Sequence, residues 1–156
     1  MAQSIEKLVQ PFRLRIENDF SGWRCDYWGK WILSAMLAYS YQPTTEHLAK
    51  IDTTLNELLQ TQTPDGYIGT YDKQHYLWGW DVWGQKCTLL GLLAYYDQTK
   101  DLKVLDAGCR IVDLLFTKVG PGKVNIAENG IPLFQRLPST SILRAIVLLY
   151  ERRRSA

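Results

Sequence analysis

A chain of 156 residues has the length of one ordinary domain; at 46% apolar and 22% charged residues it holds enough apolar surface for a core and too little charge to stay disordered. Lys and Arg number 18 against 16 Asp and Glu, and the formal charge of +2 is too small an excess to mark a nucleic-acid groove. The opening MAQSIEKLVQ lacks the basic-then-apolar pattern of a secretory leader, and no apolar run reaches the roughly 18 residues of a membrane span. The expected setting is therefore cytoplasmic, with neither nucleic acid nor membrane as partner.

Taken in chain order, the first amphipathic stretch predicts a helix over residues 4–18, with Pro11 placed to kink it. Residues 31–41, WILSAMLAYSY, are apolar nearly all round, which predicts a helix buried on every face. A polar turn, Gln42-Pro43-Thr44-Thr45, follows. Residues 46–59 then place Leu48, Ile51, Leu55, Leu58 and Leu59 at helical spacing, with polar residues between, which predicts a helix wet on one side. Thr44 is suited to cap it, because its hydroxyl can accept an orphan backbone N–H. Pro64-Asp65-Gly66 closes the segment, and Tyr67-Ile68-Gly69-Thr70 has the composition of a short strand.

The pattern then recurs. Residues 87–96, CTLLGLLAYY, predict a second fully buried helix; Asp101 is suited to cap a second one-sided helix over 102–116, and Gly120-Pro121-Gly122 ends it. A last helix is expected over 139–153, its basic run Arg152-Arg153-Arg154 being a solvated end. Leu37-Ala38-Tyr39 returns 56 positions later as Leu93-Ala94-Tyr95, and more weakly 55 positions after that as Leu148-Leu149-Tyr150. Trp28-Gly29 matches Trp83-Gly84 in the same way.

A buried helix, a tight turn and a surface helix at a period near 55 residues predict an all-α chain of antiparallel hairpins, three in number, over a single domain spanning 1–156. Such hairpins form α/α toroids, which usually close with about six, so the expected architecture is half of a six-hairpin barrel. The expected chain is a fragment of a longer protein, an open solenoid, or one protomer of a homodimer that completes the ring.

The connections that would open on the barrel's mouth carry the candidate chemistry. Residues 63–82 hold Tyr67, Tyr71, His75, Tyr76, Trp78 and Trp80 with Asp65, Asp72 and Asp81; residues 20–28 add Trp23, Arg24, Asp26, Tyr27 and Trp28, and Trp83 follows at the start of the next helix. Aromatic planes stack on the apolar faces of sugar rings, while carboxylates and Arg bind hydroxyl edges, so a carbohydrate ligand fits this set. Two readings are open for Asp81, between Trp80 and Trp83, and for Asp26, before Trp28: a ligand contact, or the N-cap of the following helix. His47 lies on the outer face of a surface helix and is read as solvated. Cys25, Cys87 and Cys109, with no CxxC spacing, and two distant histidines do not make a metal site, and no cofactor is expected.

Gln62-Thr63-Pro64-Asp65-Gly66-Tyr67-Ile68-Gly69-Thr70-Tyr71 resembles the Q-x-x-D-G-Y-I-G-T-Y stretch of the glycoside hydrolase family 127 group, the β-L-arabinofuranosidase-like proteins. Trp80-Asp81-Val82-Trp83-Gly84-Gln85-Lys86 with Leu89–Tyr96, and Tyr27-Trp28-Gly29-Lys30-Trp31, resemble the neighbouring blocks of that family. The resemblance implies an α/α toroid that acts as a retaining glycosidase on a furanoside or related sugar. It places Asp81, Trp83, Trp78, Tyr67, His75, Asp26 and Trp28 as candidate substrate contacts. The family's catalytic cysteine, zinc-binding cysteines and glutamates lie later in the domain and are not carried onto Cys25, Cys87 or Cys109. The alternative is therefore a non-catalytic half-toroid that binds sugar or assembles.

Overall fold

The computed structural model describes residues 5–18, 24–130 and 137–156. Its helices are α1 (Ile5–Leu14), α2 (Tyr27–Tyr41), α3 (Thr45–Leu59), α4 (Asp81–Thr99), α5 (Leu102–Lys118), two single turns α6 (Ile126–Asn129) and α7 (Leu137–Thr140), and α8 (Ile142–Ser155), with 3-10 turns at Arg24–Asp26 and Lys73–His75. The chain is all-α, built of long helices that pack together as part of an α/α toroid would. None of the described helices is long and apolar enough to cross a membrane.

The local signals act where the sequence puts them. Thr44 Oγ1 accepts the N–H of His47 at 3.1 Å to open α3, and Asp101 Oδ1 accepts that of Lys103 at 3.0 Å to open α5. The first helix is shorter than expected. Pro11 lies inside it, and the chain turns left-handed at Arg15 (φ 47°), ending α1 at Leu14. Tyr67–Thr70 forms no strand; instead the next residue, Tyr71, makes an isolated parallel bridge with Glu17.

Helix α4 is the middle of the structure, packing against α2, α5 and α8, while α3 covers α1 and α2. Trp28, Ile32, Leu55, Leu58, Leu89, Leu92, Leu105 and Ile111 are fully buried between these helices. Each such side chain contributes about 1.5–3 kcal/mol relative to leaving it exposed. Helices α2 and α4 approach through glycines: a Cβ on Gly29 would lie 2.3 Å from the Cys87 carbonyl, and one on Gly91 2.4 Å from Ile32 Cγ2. Gly66, at φ 98° and against the Arg110 carbonyl, lets the connection after α3 turn under α5.

Buried on every face was the expectation for both inner runs; 87–96 in α4 comes close, with only Leu90 and Ala94 partly buried, and 31–41 in α2 does not. Helix α2 leaves Tyr27, Leu37 and Tyr41 exposed, the last at 92%, because α4, α3 and the lighter contacts of α1 and the Arg24–Asp26 turn leave part of its surface uncovered among the described residues. The outward positions also correct the register of the repeat. Tyr27 and Trp83, Lys30 and Lys86, Ser34 and Leu90, Ala38 and Ala94, and Tyr41 and Asp97 all lie 56 positions apart, and each is exposed or only partly buried. The Trp28–Trp83 match is thus one residue out of phase: Trp28 points inward, donating to Thr54 Oγ1 at 3.2 Å, whereas Trp83 points outward.

Candidate functional site

Asp81 is the first residue of α4 and is wholly buried. Its Oδ1 accepts the Tyr67 hydroxyl at 2.6 Å, and its Oδ2 accepts the Leu77 N–H at 2.7 Å and the Gln85 side-chain amide at 3.0 Å. The Tyr67 hydroxyl in turn accepts the Tyr71 N–H at 3.1 Å, and the Tyr71 hydroxyl accepts the Trp80 N–H at 3.2 Å. Tyr76 stacks on Tyr67 with ring centroids 3.6 Å apart. Burial outweighs the three donors and pushes the Asp81 carboxyl up to about 7; it also raises the Tyr67 hydroxyl well above its ordinary value. Trp80, not Asp81, stands at the N-cap position of α4; Asp81 pins the connection before the helix onto its start.

A second buried carboxylate works from the other side. Glu17 accepts Thr70 Oγ1 at 2.5 Å and Arg24 Nε at 2.8 Å, while its backbone exchanges hydrogen bonds with Thr70 and Asp72 at 3.2 and 3.1 Å.

The outward cluster sits where α2 and α4 begin. Asp26 stands at the N-cap position of α2 but makes no capping bond; its Oδ2 accepts the Trp83 indole N–H at 2.8 Å and pairs with Lys30 Nζ at 2.5 Å. The Lys86 ammonium lies 3.2 Å from the centre of the Trp83 ring, and Trp80 meets that ring edge-on at 6.3 Å. The hydrogen bond to Asp26 raises Lys30 above its ordinary value. Partial burial lowers Lys86, helped by repulsion from Lys30 and Arg144. The cluster joins an aromatic plane, a carboxylate and two amines on a partly exposed surface.

His75 belongs to a third group. Asp72 caps the 3-10 turn Lys73–His75 by accepting from the Gln74 and His75 N–H groups, and its carboxylate meets His75 Nδ1 at 2.9 Å. That contact holds the Asp72 carboxyl below the usual carboxylate range. Trp78 stands 5.4 Å from His75, ring to ring.

The expected site residues thus divide. Trp83 and Asp26 meet in the outward cluster, and His75 and Trp78 meet in the 3-10 turn. Tyr67, Asp81 and Trp28 lie wholly inside the chain with no surface to offer in this conformation. Trp23 lies outside the described residues. Lys30, Lys86 and Glu17 were not singled out from the sequence. The four-residue spacing of Asp26 and Lys30 on one helix was the available signal for Lys30, while Glu17 carried none.

Comparison with known proteins places this geometry in a family. The model of the β-L-arabinofuranosidase, GH127 catalytic domain matches residues 9–137, and the chain belongs to that family. Among solved structures the chain is similar to Ara127N-Se, a GH127 β-L-arabinofuranosidase from Geobacillus stearothermophilus T6, with a TM-score of 0.69 and 19% sequence identity. The match covers 96% of this chain and 24% of that one, so the chain spans about a quarter of the length of that protein. No curated protein matches.

Proposed function

We propose that the chain forms three hairpins of a six-hairpin, glycoside hydrolase-like toroid and binds a glycoside of the furanoside type at the N-terminal ends of α2 and α4. Trp83 carries the reading. Its indole is fixed by Asp26 at 2.8 Å, its face is open to a charged side chain rather than packed into the core, and two amines flank it. A sugar's apolar face stacks on such a plane in place of the Lys86 ammonium, with its hydroxyls accepting from Lys30 and Lys86, while the buried Asp26 holds the indole and Lys30 in position. His75 and Trp78 extend the surface, and Trp28, Tyr67 and Asp81 hold it from behind. Membership of the arabinofuranosidase family and the shared fold support a sugar as the ligand class.

The test is titration of the chain with methyl furanosides and pyranosides, followed by tryptophan fluorescence and calorimetry. Trp83→Ala and Asp26→Asn are each expected to weaken binding at least tenfold, about 1.4 kcal/mol, with an unchanged far-ultraviolet spectrum. Saturable binding that survives both substitutions, or no binding to any sugar at millimolar concentration, sinks the proposal.

The thiols of this span are poor candidates for a covalent role. Burial raises Cys25 and Cys109 above the ordinary thiol range and pushes Cys87 up to about 11, so none is a ready thiolate nucleophile. The chain alone is expected to leave aryl furanosides intact, and sustained release of the aryl group would overturn that expectation.

A further inference from the structure

Among the described residues, the charges around Trp83 do not balance. Asp26 brings a carboxylate to the indole, and Lys30 neutralises it at 2.5 Å. Lys86 is left over. Its ammonium lies 3.2 Å from the centre of the Trp83 ring, its side chain is partly buried, and it pairs with no carboxylate among the described residues. Arg144, exposed near the start of α8, has no ion-pair partner among them either. An aromatic face is a weaker counter-charge than an anion. Partial burial, with repulsion from Lys30 and Arg144, accordingly lowers Lys86 from its ordinary value, a cost that an anion beside it would remove.

The backbone has the same sign here. Helices α2 and α4 both begin at this cluster, and a helix start carries partial positive charge. Asp81, the acid in the first turn of α4, is wholly buried and pushed up to about 7, so near neutrality it offsets only part of that charge. The arrangement also recurs. Tyr27 and Lys30 of α2 stand 56 positions before Trp83 and Lys86 of α4, and all four are exposed or partly buried. An aromatic side chain with an amine three residues on is thus presented twice at the same end of the inner helices.

A sugar ring stacked on Trp83 displaces the Lys86 ammonium to the edge of the ring. A hydroxyl there offers only a dipole to a charge that Lys30 and Arg144 already repel. We propose that the glycoside bound at this cluster carries an anionic substituent, a carboxylate or a phosphate, which takes the Lys86 ammonium while the sugar ring lies on Trp83. This inference rests on the glycoside reading above and narrows it to acidic sugars. Lys30 keeps its tie to Asp26, and Arg144 adds attraction from α8.

Calorimetric titration of the full chain with methyl galactoside, its uronate and its 6-phosphate, each as furanoside and pyranoside, tests the charge. One of the two acidic sugars is expected to bind about tenfold more tightly than the neutral one at low salt. Raising the salt from about 50 to about 500 mM is expected to shrink that ratio. Lys86→Gln is expected to bring it close to one, and Arg144→Gln, at an exposed position, to lower it about threefold. Trp83→Ala is expected to weaken all three sugars. Preference for the uronate supports the proposal with a carboxylate as the anion, and preference for the 6-phosphate supports it with a phosphate. Equal affinity for neutral and acidic sugars overturns the proposal and leaves the glycoside reading standing, whereas no binding of any sugar defeats both. An acidic preference that survives Lys86→Gln, or tight acidic-sugar binding that survives Trp83→Ala, also overturns it, because the charge is then read elsewhere.

Discussion

Asp81 shows how much one buried carboxylate can hold. It receives the Tyr67 hydroxyl, the Gln85 amide and the N–H of Leu77, a non-glycine residue kept at φ 67°. Asp81→Ala strands three buried donors and releases a strained backbone, and should lower stability by about 3 kcal/mol or more, measured by urea denaturation. Its pH dependence has a definite sign. The folded carboxyl titrates at about 7 against an ordinary 3.8, so the folded state holds the proton more tightly. The resulting stabilisation is complete below pH about 4 and is lost as pH rises through 7, roughly 4 kcal/mol in all. Wild type compared with Asp81→Asn, which cannot titrate, should therefore lose stability between those limits; parallel curves would refute the assignment. The sequence marked Asp81 as the polar residue at a helix start, yet one of its partners, Tyr67, lies 14 residues upstream in the connection before the helix. No periodicity encodes that meeting. Likewise Trp83 and Asp26, 57 residues apart, come together only because two helix starts are packed side by side.

Helices were the most legible level. The caps Thr44 and Asp101 and the one-sided patterns of α3 and α5 follow from side-chain chemistry within a few residues, which is what local sequence encodes. The limits of α1 were less legible, because a left-handed Arg15 stops it and no glycine announces the turn. The crossing of α2 and α4 depends on an absent side chain. Gly29→Ala puts a methyl group 2.3 Å from the Cys87 backbone, which cannot swing aside, and should cost about 3 kcal/mol through forced separation of the helices. Ser34→Ala on the outward face of the same helix should change stability by no more than about 0.5 kcal/mol. Thermal denaturation of both variants checks the contrast; equal melting temperatures would show that the helices are not in contact at Gly29.

For the molecule as a whole, the sequence revealed a repeat but not which copies have neighbours. Two runs that both read as apolar nearly all round, 31–41 and 87–96, end in different surroundings because burial is decided by what packs alongside. Helix α4, enclosed by α2, α5 and α8, should exchange its amide hydrogens last, and α1 and α8 first; uniform protection would contradict that order. The clasp at Glu17 has a further consequence. The segment around Glu17 is held by Thr70, Tyr71 and Asp72, more than fifty positions later. During synthesis that stretch must wait, through the emergence of two complete helices from the ribosome, before its buried carboxylate finds a hydroxyl. Docking of that segment is thus timed by translation of the connection after α3, and a pause before residue 72 would prolong its exposure to chaperones and proteases.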